Sequence, residues 1–268
     1  MKKISTAILI IFMLSLTGCG ANPLEQSNSN EPSVVQDYDI TVPLIEGDSV
    51  SEIAGKYTGE MVAGKPQGKG TLIIEGENNT QYIYEGSFVD GAFDGYGITS
   101  LTTDGETYEM AGTYSKGEFT PSTGEFLDCM GQLDLFGPYK LAESVIDFID
   151  DNCDLFPNAT KKALENAEIV DFSYKHFKKT REQEKIGLVR LDLSAVQVFE
   201  DDFFSKKLTY LLGVDNEENY YAVYYQGSAE VYDGDEITVY AIPCDTTSFS
   251  NVSGGSTNVV VMAACAIN

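Results

Sequence analysis

The residues of this chain able to do chemistry are five cysteines, one histidine, 42 aspartates and glutamates, and a run of tyrosines. A thiol becomes a nucleophile when a base or a cation lowers its pKa. His176, the sole histidine, stands between Lys175 and Phe177, with no serine or cysteine motif around it. The motifs Gly-x-Ser-x-Gly, Gly-x-x-x-x-Gly-Lys-Ser/Thr and His-Glu-x-x-His do not occur in the sequence. A nucleophile elbow, a phosphate loop and a zinc-protease helix are therefore not expected. Among so many carboxylates the nearness of any two says nothing about a glycosidase pair. The oxygen-rich stretches Asp150-Asp151-Asn152, Asp215-Asn216-Glu217-Glu218 and Asp233-Gly234-Asp235-Glu236 lack the EF-hand spacing and read as solvated turns. The expectation is a protein with no catalytic residue, no metal site and no cofactor.

One cysteine differs from the rest by its position. Lys2 and Lys3 precede an uncharged apolar run, Ile4 to Leu16, that is too short to cross a bilayer core of ~30 Å. Leu16-Thr17-Gly18-Cys19 follows, and it resembles the lipobox of bacterial lipoproteins. The resemblance implies that residues 1–18 are a signal peptide, and that Cys19 becomes the N-terminus and carries acyl chains such as palmitate. Two or more chains give stable anchoring where one does not. The expected location is the bacterial cell membrane, facing outward, with the membrane itself as a partner through the lipid on Cys19.

The formal charge of −25 repels nucleic acid and other polyanions. The clusters Lys161-Lys162, Lys175 to Lys179 with Arg181 and Lys185, and Lys206-Lys207 read as solubilising charge rather than a phosphate site. Cys129, Cys153, Cys244 and Cys265 are even in number in an exported chain. Pairing Cys129 with Cys153 and Cys244 with Cys265 would keep each bridge local, and free buried thiols are an equally open reading. Residues 19–54, rich in Asn, Ser, Glu, Gln and Pro, read as a flexible tether.

A repeat follows. Tyr57-Thr58-Gly59, Gly64 and Gly68-Lys69-Gly70 recur as Tyr84-Glu85-Gly86, Gly91 and Gly95-Tyr96-Gly97, each displaced by 27 residues (84 minus 57). A weaker third copy keeps Gly112 and Gly117, has Met110 in place of the tyrosine, and has Pro121 and Thr123 where glycines should be, as a terminal cap would. The spacing Tyr-x-Gly, four residues, Gly, three residues, Gly-x-Gly resembles the MORN repeat over about Gly55 to Phe126, giving a repeat domain of residues 55–127. Each unit is expected to be a β-hairpin with Gly64 or Gly91 at a turn needing positive φ. The small residues Gly68, Gly70, Gly95 and Gly97 open the return strand and let rings pack on bare backbone.

Phe136-Gly137-Pro138 punctuates the chain before a helical connector, residues 139–168. Leu141, Val145, Phe148 and Ile149 have helical spacing there, and Asn158 reads as the N-cap of a second helix, Ala159 to Ala167. Strand-like runs occupy Ile186 to Phe199, Leu208 to Val214, Tyr220 to Tyr225, Ile237 to Ile242 and Val259 to Ile267. These five strands, the lead-in Asp171 to Phe177 and Gly234-Asp235 before the fourth strand resemble the OB-fold-like domains of some Gram-positive lipoproteins, here residues 169–268. The eleven residues between Tyr225 and Ile237 leave little room for the helix those domains place there, and closure of the barrel stays open. The fold class is thus mainly β: MORN-type hairpins, a short helical connector and a five-stranded OB-like barrel.

Along Tyr220 to Tyr225, alternation sets Tyr220 and Tyr224 on one face and Tyr221 and Tyr225 on the other. One face must enter the core, and Tyr221 and Tyr225 are the candidates to present rings to a ligand, with cross-strand packing as the competing reading. The functional expectation is a non-enzymatic module that binds a protein or an envelope polymer and does not bind nucleic acid. A small-ligand sensor for a sugar, peptide or ion is the alternative, and an envelope hydrolase a third.

Overall fold

The computed structural model describes residues 31–46, 49–76, 79–103, 105–181, 185–250 and 254–268, and the chain divides into two compact units between Thr120 and Pro121. Residues 1–18, expected to be a signal peptide, and Cys19 lie outside the described residues.

The first unit is one antiparallel meander: β1 (Ser33–Glu46), β2 (Ser49–Val62), β3 (Lys65–Glu75), β4 (Gln81–Val89), β5 (Ala92–Thr103), β6 (Glu106–Ser115) and a two-residue β7 (Glu118–Phe119). Three of its turns are two residues long, Ala63-Gly64, Asp90-Gly91 and Lys116-Gly117, with φ of +50° and +78°, +51° and +89°, and +51° and +94°. Positive φ at both positions is the turn geometry whose twist matches that of the flanking strands. Ile45 of β1 pairs in parallel with Glu118 of β7, and its N–H donates to the Gly117 carbonyl at 3.2 Å, so the pairing order returns to its start.

β1 and the start of β2 correct the boundary of the tether, because residues 33–46 and 49–54 are strand rather than linker. Ile40, Val42 and Leu44 alternate toward the interior, where Val42 is fully buried and Ile40 and Leu44 pack on the aromatic cluster. This strand covers part of an apolar face that the hairpins cannot cover alone. The weaker third copy has a return strand of only two residues, which stops at Phe119, and Ser122 then caps a helix.

The second unit opens with α1 (Thr123–Cys129), a 3₁₀ turn (Met130–Leu133), α2 (Glu143–Asp151), α3 (Lys161–Asn166) and α4 (Tyr174–Thr180). α1 starts on a capping box: the Ser122 hydroxyl accepts from the Glu125 N–H while Glu125 accepts from the Ser122 N–H. α2 buries Val145 and Ile149, as its spacing requires. α3 begins two residues later than the sequence suggests. The Ala159 N–H is committed to the Cys265 carbonyl at 2.8 Å, and Thr160 rather than Asn158 accepts from Ala163.

Five strands complete the unit: β8 (Val189–Phe203), β9 (Lys206–Val214), β10 (Tyr220–Tyr225), β11 (Glu236–Ser250) and β12 (Ser256–Ile267). Their order is β8-β9-β10-β12-β11, β11 pairs back onto β8, and all pairs are antiparallel except β10 with β12. Closure therefore needs no helix between β10 and β11. Leu193, Leu211, Tyr221, Val223, Val239 and Met262 fill the interior, and Phe177 of α4 joins them.

Candidate functional site

The repeat's glycines form a row across the first sheet. In register, Gly59 faces Gly70, Gly70 faces Gly86, Gly86 faces Gly97, and Gly97 faces Gly112. The tyrosines explain the row. A Cβ at Gly70 would come within 2.7 Å of the Tyr57 Cζ, and one at Gly97 within 2.6 Å of the Tyr84 Cζ. A Cβ at Gly59 or Gly86 would likewise run into the hydroxyl end of Tyr57 or Tyr84. Each ring thus lies flat on a pair of glycines. Its hydroxyl donates to a backbone carbonyl at 2.9 Å, Glu60 for Tyr57 and Ser87 for Tyr84. Burial pushes both phenols above their ordinary pKa, which keeps them neutral donors. Tyr84 is central: it stacks on Phe93 at 3.8 Å and meets Phe88 and Tyr114 edge-on at 5.2 Å each. Gly68 (φ +68°) and Gly95 (φ +91°) sit in the bulges where the register of each hairpin shifts.

The repeat-defining side chains are therefore spent inside the sheet, and the residues between them face outward. Lys69 and Tyr96, the middle residues of the two Gly-x-Gly triplets, join Thr71, Glu85 and Ile98 around an open groove of about 510 Å³ floored by Gly70 and Gly86. Tyr96 is 51% exposed and Ile98 38%. These positions do not repeat: the displacement of 27 that maps tyrosine onto tyrosine maps Lys69 and Thr71 onto Tyr96 and Ile98, and Thr58 onto Glu85. The groove combines one cation, one anion, a threonine hydroxyl, an aromatic phenol and one aliphatic side chain, a mixture suited to binding and lacking a nucleophile–base pair. Sequence reading passed over these residues. The x of Gly-x-Gly was the available signal, since residues flanking an inward glycine point out.

Tyr221 and Tyr225 do not face a ligand. Tyr221 is 2% exposed inside the second sheet, where its hydroxyl donates to Asp215 Oδ2 at 2.9 Å, and Tyr225 packs half-buried on the same cluster. The opposite face is covered as well. Tyr224 is buried against Tyr139 at 5.0 Å, and Tyr210 against Phe136 at 5.9 Å, both partners coming from the helical segment that precedes the strands.

Cys129, Cys153, Cys244 and Cys265 are free thiols, the first, third and fourth buried. Cys244 and Cys265 fall in separate bulges of the β11–β12 pair, where Pro243 faces Met262 and Tyr240 faces Ala266. They are offset by about three residues, ~10 Å along a strand, too far for a bridge. Burial pushes both thiols up to about 12, so neither is a nucleophile near neutral pH. Among the described residues no group of three or more His, Cys, Asp or Glu is placed to hold a metal.

Comparison with known proteins gives one family: residues 57–74 and 84–103 match the MORN repeat. The chain therefore carries MORN repeats over the hairpins just described. No curated protein and no solved structure matches it.

Proposed function

We propose that this chain is a lipid-anchored, outward-facing bacterial membrane protein whose repeat sheet binds a protein or an envelope polymer without catalysis. The observation that carries the reading is the division of labour in the repeats. Tyrosines and glycines are consumed by the fold, while the non-repeating Lys69, Glu85, Tyr96 and Ile98 line an exposed groove. The C-terminal unit is read as OB-fold-like, supported by the order β8-β9-β10-β12-β11 and the parallel β10–β12 pair. OB-folds bind ligands on the face of their second and third strands. Here the corresponding strands are β9 and β10, and Phe136 and Tyr139 already occupy their outer face. That directs the partner to the repeat sheet.

The triple variant Lys69→Ala/Tyr96→Ala/Ile98→Ala tests this. Its side chains are outside the core, so each substitution should change stability by no more than about 0.5 kcal/mol. In-cell cross-linking followed by mass spectrometry should recover a reproducible partner with the native chain and lose it with the triple variant. Equal recovery from both would remove the groove from the account.

The anchor rests on Leu16-Thr17-Gly18-Cys19 and has its own test. Cells fed an alkyne analogue of palmitate should label the native chain, which should partition into a detergent phase, whereas Cys19→Ala should do neither. Label retained by Cys19→Ala, or absent from the native chain, would contradict lipidation.

A further inference from the structure

The second unit contains a pocket of about 310 Å³, lined by α2 and the turn after it, by α3 and the turn after it, and by the lead-in to β8. That volume is at the lower end of small-ligand sites. Phe148, Leu155 and Leu188 give it apolar walls, with Leu155 and Leu188 almost fully buried.

The polar groups of the pocket are unbalanced. Asn152 Nδ2 donates to the Phe148 carbonyl at 2.7 Å, and Asn166 Nδ2 donates to the Lys162 carbonyl at 2.9 Å. Each amide has thus turned one N–H to its own helix, and its second N–H and its Oδ1 remain for a ligand. Asp154 and Glu168 add two carboxylates. The one cation is Lys185, whose ammonium donates to Glu168 Oε1 at 2.5 Å. Asp154 is left without an ion-pair partner among the described residues. The carboxylates of the pocket therefore outnumber its cation by one, beside walls that are apolar. A ligand complementary to it brings N–H donors, a positive charge and a short apolar body. The field of a chain with net charge −25 favours the approach of the same species.

We propose that this pocket binds a primary ammonium carried on a short apolar body, with Asp154 as the counter-ion and the Asn152 and Asn166 carbonyl oxygens as further acceptors. The site is separate from the groove on the repeat sheet and does not depend on it.

Isothermal titration of the full chain with n-hexylammonium, n-hexanol and n-hexanoate tests the assignment. The ammonium should bind at one site, the alcohol more weakly and the carboxylate not at all. Asp154 is exposed and forms no ion pair among the described residues, so Asp154→Asn should stay folded and weaken the ammonium about tenfold. Ala163→Leu, which fills the pocket from α3, should abolish binding of ammonium and alcohol alike. Hexanoate binding as tightly as hexylammonium would overturn the proposal. So would no ammonium binding, or ammonium uptake at many sites that neither substitution changes.

Discussion

Tyr84→Ala should cost the repeat unit about 3–5 kcal/mol, the loss expected when a large buried aromatic is truncated. Tyr84 has no exposed surface and holds three other rings in place, so the cavity would sit at the middle of the cluster rather than at its edge. Gly97→Ala should be destabilising too, by about 1–3 kcal/mol, because the added methyl meets the Tyr84 ring. This sign is informative. Gly97 is not at positive φ, so without the ring an alanine there should be neutral or favourable by about 0.5–1 kcal/mol. In a Tyr84→Ala background the penalty of Gly97→Ala should therefore vanish. Urea unfolding of the four chains gives the coupling directly. An equal effect of Gly97→Ala in both backgrounds would show that the glycine serves the strand and not the tyrosine.

Tyr221→Ala should cost the second unit a similar amount, about 3–5 kcal/mol, since its ring is buried among Val223, Val260 and Phe172. Tyr221→Phe separates packing from polarity. It keeps the ring and removes the hydroxyl that donates to Asp215, at a cost of about 1 kcal/mol, the low end for a charged acceptor because this carboxylate is largely solvated. Burial raises the Asp215 pKa, but hydrogen bonds from the Asn219 side chain and N–H, the Tyr221 hydroxyl and the Glu217 N–H outweigh it and hold the carboxyl below its usual value. A lowered native pKa contributes stability above the unfolded value of ~3.9, and that stability is lost as pH falls through the native one. The gap between native chain and Tyr221→Phe should therefore be full at neutral pH and narrow below about pH 4. A gap that widens on acidification would contradict the Asp215 assignment.

What the sequence revealed follows the range of the contacts. Tyr57 and Gly59, or Tyr84 and Gly86, are neighbours on one strand and meet Gly70 or Gly97 on the next, so the whole contact recurs every 27 residues and is visible in one chain. β1 was not visible. Its apolar residues are thinly spread in a polar segment, and only its pairing with β2 is local: Ile45, which meets Val50 on β2, reaches Glu118 of β7 after five intervening strands. The alternation of the four tyrosines on β10 was legible, but the covering of both its faces was not. The inner face meets Phe172 and Tyr174, the outer Tyr139, and none of these is near in sequence. The groove on the repeat sheet was hidden for a different reason: the eye follows positions that repeat, and its residues are those that do not.

The central claim is that the outer face of the repeat sheet meets the partner, and site-specific photo-cross-linking addresses it most directly. A photoreactive phenylalanine analogue would be placed in cells either at Ile98, in the groove, or at Tyr38, which is 47% exposed on β1. The account predicts a reproducible adduct from position 98 and none from position 38. No adduct from position 98, or the same adduct from both positions, would contradict it.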